Sequence, residues 1–430
     1  LQDPQEFTVI SRVFKTALAL AVSAASGYSL AAGFAINEQS VSSMGTAFAG
    51  RSSSADDATT VFGNPAGMAR LKREQVSAGA AMIFAKTDID DANGTFGGSN
   101  DGDMVPTVGV PMGYYVKPLD EKWAVGMGIY VPFGLITDYE SGFEGRYFGD
   151  RSEVRVITLQ PTVSYRINDQ LSVGFGPTIN RIDGELTSAV LNPLSLGSND
   201  GKVKVKGDDT ALGFNAGVLF ELDPRTRFGL TYHSKVDYTL KGDTTVSGSG
   251  FVLGSSAGKY DASLDLETPE SVDFSVTHDL NDAWTLYAGS TWTRWSRLEE
   301  IEVENKGVGG LLGPALSTIT EEQDWRDTWS YAVGAAYKLN QQWTLRAGLA
   351  YDQSPARNEF RSPRIPTDDR KILSLGAAWS PNDDMTIDVA YSYLKEDDAK
   401  IDQTSPIKGA YSATYKNSAH GLGAQVTYRF

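Results

Sequence analysis

The 430-residue chain contains no cysteine, so disulfides, thiolate metal sites and cysteine nucleophiles are excluded. Histidine is scarce. His233, His278 and His420 stand far apart, without ligand spacing for a metal and without a Ser-His-acid context for nucleophilic catalysis. The sequence also lacks a Gly-Lys-Ser nucleotide-binding motif, so no catalytic residue, metal ligand or cofactor site is expected. Positive charge is in deficit, with 38 Lys and Arg against 54 Asp and Glu for a net charge of −16. A nucleic-acid partner needs a basic footprint and is excluded on that ground. Long apolar runs are missing too. Beyond the N-terminal segment none approaches the roughly 18 residues of a transmembrane helix, and mean hydropathy is −0.26, which excludes a helical bundle in lipid.

What the chain does have is glycine (44), tyrosine (19), phenylalanine (18) and tryptophan (8). This composition suits short strands, tight turns and aromatic rings at a membrane-water boundary. Near the start, Arg12 and Lys15 precede an apolar run over 16–26 and the small-residue stretch Ser29-Leu30-Ala31. That order reads as a secretory signal over residues 1–31, with cleavage expected after Ala31. At the other end, Leu422, Ala424, Val426, Tyr428 and Phe430 share one parity, while Gly423, Gln425, Thr427 and Arg429 share the other. One face is hydrocarbon and the other small or polar, the pattern of a strand with lipid outside and a lumen inside.

Similar strands recur in pairs. Trp329 to Leu339 pass through Asn340-Gln341-Gln342 into Trp343 to Tyr351, and Leu373 to Trp379 pass through Pro381-Asn382-Asp383-Asp384 into Met385 to Tyr393. Other pairs flank Leu119-Asp120-Glu121, Asn168-Asp169-Gln170, Asp223-Pro224-Arg225-Thr226 and Asn281-Asp282, each a short polar turn between strands of about ten residues. Longer polar or glycine-rich connections are expected near 88–103, 136–152, 186–209, 241–259, 300–325, 353–369 and 396–417. Short turns on one rim and long loops on the other predict an all-β membrane protein, an antiparallel transmembrane barrel of about 14 strands spanning residues 74–430. Closure follows physically, because in hydrocarbon every backbone N–H and C=O needs an internal partner.

A barrel of that size encloses more space than its own side chains can fill. Residues 32–73 lack strand periodicity and carry Phe34, Ile36, Met44, Phe48 and Phe62. A segment so short can bury those side chains only by docking inside the barrel, so it is expected to form an N-terminal hatch. Within the strand that begins at Trp123, Pro132-Phe133-Gly134 should interrupt pairing. Pro132 cannot donate a ladder hydrogen bond, and Gly134 permits unusual backbone geometry.

The run Ala32-Gly33-Phe34-Ala35-Ile36-Asn37-Glu38, the Asp56-Asp57-Ala58 and Asn64-Pro65-Ala66 motifs, the stretch from Gly213 to Asp223, and Ile365-Pro366 with Asp369-Arg370 resemble the FadL family of long-chain fatty-acid transporters. The resemblance covers essentially all of the mature chain. It implies a fourteen-stranded barrel integral to the bacterial outer membrane, external capture of substrate, and an N-terminal hatch with Asn64, Pro65 and Ala66 in its docking motif. It also implies lateral release through a wall opening at a kinked third strand, where Pro132, Phe133 and Gly134 fall. Inward-facing Asp352 is a candidate anchor for the hatch or that strand. The implied activity is passive uptake of long-chain fatty acids, the alternative being neutral or aromatic hydrocarbons.

Capture candidates are the apolar residues of otherwise polar loops: Val190, Leu191, Leu194 and Leu196; Phe251, Val252 and Leu253; Leu311, Leu312 and Leu316. Phe34, Ile36, Phe48 and Phe62 are the inner-pocket candidates. A carboxylate would favour an inward basic partner, and strand parity turns Arg297, Arg326, Arg346 and Arg370 to the lumen, with Arg326 and Arg346 chosen as binding candidates. The chain departs from the family near Ser188 and Glu321, where basic head-group ligands are expected and none stands. The remaining partners expected are outer-membrane lipid and lipopolysaccharide, with the protein acting as a monomer.

Overall fold

A computed structural model describes residues 33–192 and 199–430. The expected signal over 1–31 and the capture candidates Leu194 and Leu196 lie outside the described residues. Among the described residues, nineteen strand segments share one sheet, and fourteen of them close a ring. These are β1 (Gln75–Gly94), β2 (Val108–Pro118), β3 (Trp123–Asp138), β4 (Arg151–Arg166), β5 (Leu171–Val190), β6 (Gly201–Asp223) and β7 (Thr226–His233). The ring continues through β8 (Ser271–Asp279), β9 (Trp284–Thr293), β10 (Thr328–Lys338), β11 (Trp343–Asp352), β12 (Arg370–Trp379), β13 (Met385–Glu396) and β14 (Gly409–Arg429). Each pairs antiparallel with the next, and β1 pairs with β14 from Gln75↔Arg429 to Gly94↔Tyr411. No strand of the ring is left with a bare edge along its whole length.

The parity read from the sequence sets the two surfaces. On β14, Leu422 and Val426 are 52% and 43% exposed, while Gln425 and Thr427 of the opposite parity are 1% and 0%. The hydrocarbon face therefore points away from the ring and the polar face into it, the inverse of a soluble protein. At the short-turn rim, aromatic pairs mark a boundary: Trp123 with Tyr165, Trp284 with Tyr337, Trp343 with Trp379, and Tyr428 with Phe430. Six turns on this rim share one device. The side-chain oxygen of Asp120, Asn168, Asp223, Asn281, Asn340 or Asn382 accepts backbone N–H bonds from the residues two and three positions on. An Asp or Asn at the first turn position thus closes each hairpin.

The long-loop rim differs from expectation. Strands of about ten residues were anticipated, yet β5, β6 and β14 run to 20, 23 and 21 residues. Much of 186–209, 241–259 and 300–325 is strand rather than loop. Segments Val236–Ser247, Gly258–Thr268, Glu300–Asn305, Thr318–Glu322 and Ala399–Ser405 prolong the hairpins past the ring. Outside lipid both faces of a strand can be polar, so the alternation that betrays a membrane strand is lost there. The expected 353–369 loop does not project into solvent either. Its Arg361, Ser362, Arg364, Ile365 and Thr367 are buried in the mouth of the ring.

Candidate functional site

Residues 33–73 fill the interior nearest the short-turn rim. The segment holds little regular structure, two short helical turns at Val41–Met44 and Thr60–Gly63 and a 3-10 turn at Pro65–Arg70. Wall glycines let its backbone sit directly on the strands. A side chain at Gly217 or Gly174 would collide with Asn64 or Pro65; at Gly334 it would lie 2.8 Å from Thr46 O, and at Gly376 2.8 Å from Gly45 Cα. Hydrogen bonds complete the seating. Asn64 Nδ2 donates to Ser52 O (2.7 Å) and Val218 O (2.9 Å), while its Oδ1 accepts from Ala66 N. Asp57 accepts from Ser42 Oγ, Thr59 N and Thr59 Oγ1 within the hatch, and from Gln425 Nε2 on β14 at 3.0 Å. The Asn-Pro-Ala motif therefore caps one turn of the hatch and ties it to the wall at once.

Beside the hatch the wall has a seam. The β2–β3 ladder ends at Gly113↔Ile129, while β2 keeps its pairing with β1 out to Val108↔Ile83. Among the described strands, β3 beyond Ile129 is paired with β4 alone, and that register slips between Tyr130 and Phe133. Pro132 lies in the slip, as a residue without an N–H should. The freed edge of β3 is taken up from inside. Ile36 N donates to Pro132 O and Gly134 N donates to Phe34 O, both at 2.8 Å, while Gln39 Nε2 donates to Val131 O. Ala35 and Phe133 face each other as an isolated antiparallel bridge. The first described residues of the hatch thus stand in for the missing β2 partner.

Two cavities meet at this point. The outer one is walled chiefly by hydrocarbon from Leu135, Val154, Leu240, Leu264, Leu298 and Ile365, the kind of lining that small-molecule sites have. The inner one is mixed: Ile36, Phe62, Pro132 and Phe133 share it with Asn180, Asn215, Thr178 and His233. Phe34 lines the first and packs its ring on Phe133, which lines the second, at 5.7 Å. Trp295 and Trp325 close round Phe34 at 5.0 and 6.1 Å. An aromatic knot therefore separates the hydrocarbon chamber from the chamber that touches the seam.

The sequence-selected residues distribute unevenly. Phe34, Ile36, Phe62, Pro132, Phe133 and Gly134 come together at the knot and seam, whereas Phe48 lies deeper, under the Arg51 guanidinium. Among the loop candidates, Val190, Leu312 and Leu316 pack with Val203, Val246 and Tyr260 as a lid. Leu253 is fully buried against Gly201 and Gly248, and Phe251 projects outward at 77% exposure. Leu191 is half-buried beside Asn192. Asp352, at the end of β11, is buried opposite Ser330 and Arg370.

The chosen basic residues line neither cavity. Arg326 is half exposed, with its Nε on Ser354 O and Asp369 nearby, and Arg346 is half-buried against Asp388 at 2.5 Å and Gly45 of the hatch. Arg297 is spent on Glu267 and Glu270, while Arg370 donates to Glu396 and Thr367 and keeps a buried Nη1 with no hydrogen-bond partner among the described residues. Two basic side chains do line the outer cavity, Lys206, which is paired with Glu185, and Arg364. Its Nη1 donates to Ser152 Oγ and Thr187 O, both at 3.1 Å, and its Nε to Glu321 Oε2 at 2.8 Å. Arg364 comes from the 353–369 loop and meets Glu321 and the backbone next to Ser188. Sequence reasoning passed over Arg364 because it looked like one charge among many in a polar loop. The flanking Pro363-Arg364-Ile365-Pro366 was the one hint of a buried turn.

A family model described as "Outer membrane protein transport protein (OMPP1/FadL/TodX)" matches residues 22–430. The chain is 31% identical over 446 residues to the "Long-chain fatty acid transport protein" of Escherichia coli O6:H1, covering 97% of this chain and 98% of that relative. A solved Pseudomonas aeruginosa FadL homologue superimposes with a TM-score of 0.82 at 27% identity, over 93% of this chain and 100% of that one. The Ralstonia pickettii toluene transporter TbuX shares the fold, with a TM-score of 0.64 at 20% identity over 88% and 95% of the respective chains.

Proposed function

The chain belongs to the outer-membrane transport protein family OMPP1/FadL/TodX, and on that premise we propose that it is a passive uptake channel for long-chain fatty acids. It is an integral barrel of the outer membrane, with the short-turn rim in the periplasm and the long-loop rim outside. The observation that carries the reading is the arrangement around Phe34: a hydrocarbon chamber under the external lid on one side, and the unpaired β2–β3 seam beyond it.

An acyl chain entering from outside loses its water contact in the outer chamber, a gain of roughly 0.8 kcal/mol per CH₂. The tail then crosses the mixed inner chamber and ends in the hydrocarbon of the bilayer, so its start and end surroundings are alike and the transfer needs no energy source. The barrier is the aromatic knot and the strand-like bonds of residues 34–36 on β3. Most of the hatch is wedged against wall glycines, so the moving part is its first few residues rather than the whole plug. Their withdrawal opens chamber and seam together, provided ligand favours the withdrawn state. Because the ring closes within one chain, a monomer surrounded by lipid and lipopolysaccharide suffices.

Cells producing the protein in an uptake-deficient host should accumulate labelled oleate, and a Gly134→Trp variant, which crowds the seam, should not. Equal accumulation by both would overturn the lateral route. A second reading, uptake of neutral or aromatic hydrocarbons, is supported by the near absence of polar side chains along most of the outer chamber. Preferential binding of toluene over oleate would favour it.

A further inference from the structure

We propose that Arg51 of the hatch and Asp273 of β8 are the two halves of an ion pair that forms only when residues 34–37 withdraw, an inference that rests on the channel reading and names what holds its open state. Other arginines of the interior are each matched to a carboxylate: Arg227 to Asp279, Arg346 to Asp388, Arg361 to Asp368, Arg364 to Glu321 and Arg370 to Glu396. Arg51 is not. Among the described residues it makes no ion pair; its Nη2 donates to the neutral Asn37 Oδ1 at 2.7 Å, and its guanidinium lies over the Phe48 ring. Asp273 is its complement. The side chain is buried and accepts from Thr291 Oγ1 through Oδ2, while Oδ1 has no hydrogen-bond partner among the described residues. Both residues line the inner chamber, and both line a second void beside Phe48.

The backbone brings the two within reach. Ser52 N donates to Ser275 Oγ and Ser52 Oγ to Gly229 O, both at 3.1 Å, so Arg51 is anchored next to β8, where Asp273 lies two residues from Ser275 on the same face, about 7 Å away. A turn of the arginine side chain suffices, and the seated part of the hatch need not move. Asn37 competes for that side chain in the closed state. It lies one residue past the Ile36–Pro132 bond, so whatever strips residues 34–36 from β3 also removes the acceptor that holds Arg51. Glu38 leaves on the same run, and Asp352 lines neither void, which leaves Asp273 as the fixed carboxylate facing the freed guanidinium. A buried carboxylate oxygen without a donor is costly, and a charged donor arriving there removes that cost. The closed state leaves a wall charge unmet and the open state meets it, so a ligand needs less differential affinity to shift the hatch.

The test uses Ala35→Cys as a reporter, in a chain with no other cysteine, and measures its rate of modification by a small maleimide in the detergent-solubilised full-length protein, with and without oleate. Ala35 faces Phe133 in the closed state, so modification reports withdrawal, and oleate should speed it. With oleate present, Asp273→Asn, which keeps an acceptor for Thr291, should slow modification about fivefold, the upper range for an incompletely buried ion pair. Arg51→Gln should slow it equally, and the two together should do no more than either alone. Unchanged or faster modification in Asp273→Asn, or additive slowing in the double variant, overturns the ion pair and leaves the channel reading standing. If oleate does not speed modification of the reporter by itself, the hatch-gated reading falls and the pair with it. Should Asp273→Asn fail to fold, Arg51→Gln decides: slower modification sustains the pair, and an unchanged or faster rate overturns it.

Discussion

Gly217 of β6 faces Asn64 of the hatch so closely that any side chain there would collide with the Asn64 amide oxygen. That one contact explains why the Asn-Pro-Ala motif and a glycine more than a hundred residues away belong together. The hatch has too little regular structure to be rigid alone, and it gains rigidity by lying flush on the wall. Asn64→Ala removes two donated bonds and a turn cap, leaving Ser52 O and Val218 O without that donor. A loss of about 1–3 kcal/mol of hatch docking is expected. Gly217→Val should act in the same direction. Both variants should admit protease to residues 33–73 and raise ion leakage in planar bilayers, whereas an unchanged digestion pattern would show that the docking is dispensable.

Gly184 lines the outer chamber, and a Cβ there would already meet Leu240 at 3.3 Å. Gly184→Trp should therefore fill the chamber with little effect on the barrel below it. Oleate and its methyl ester should both lose at least about tenfold in affinity, since several methylenes lose their burial site at roughly 0.8 kcal/mol each. Heat-modified gel migration should remain that of a folded barrel. Retained affinity for both ligands would place the capture site elsewhere.

At the bend before β8, Arg297 holds the Glu270 carboxyl down to about pKa 2, and Glu270 in turn raises the Arg297 guanidinium. A carboxylate depressed on folding contributes stability that is complete above its unfolded value, near 4.3, and is lost as pH falls toward 2. Discounted for the water that still reaches Arg297, the pair contributes about 1–2 kcal/mol at neutral pH. Glu270→Gln should lower the thermal midpoint at pH 7 and match wild type at pH 2. A difference that persists at pH 2 would mean that packing, not charge, is what the substitution removes.

The legible parts of this molecule are those where one physical rule acts alone. Lipid imposes alternation, so Leu422 to Phe430 declared both faces of β14. A two-to-four-residue hairpin needs a side-chain acceptor at its start, so Asp120, Asn168 and Asn340 marked their turns. Pro132 marked the seam because it lacks an N–H. Where two environments are equivalent the pattern vanishes, as on the strand extensions beyond the bilayer, which read as loops. Parity correctly turned Arg346 inward but could not tell a ligand-facing arginine from one already held by Asp388. Arg364 was hidden for the opposite reason, because it reaches the lumen from a connection rather than a strand. The pairing of Phe34 with Trp295 and Trp325 brings together residues some 260 and 290 positions apart, a meeting that no local pattern announces.

The central claim is that residues 34–36 must leave the β3 edge for substrate to pass. Ala35 and Phe133 form an antiparallel bridge flanked by the Ile36–Pro132 and Gly134–Phe34 hydrogen bonds, a non-hydrogen-bonded pair whose Cα atoms stand close enough for a disulfide. The chain has no cysteine of its own, so Ala35→Cys with Phe133→Cys introduces a single cross-link. Oleate uptake by cells carrying the double variant should stop on oxidation and recover on reduction, with each single variant insensitive to both treatments. Uptake at the reduced rate through the fully oxidised protein would contradict the account.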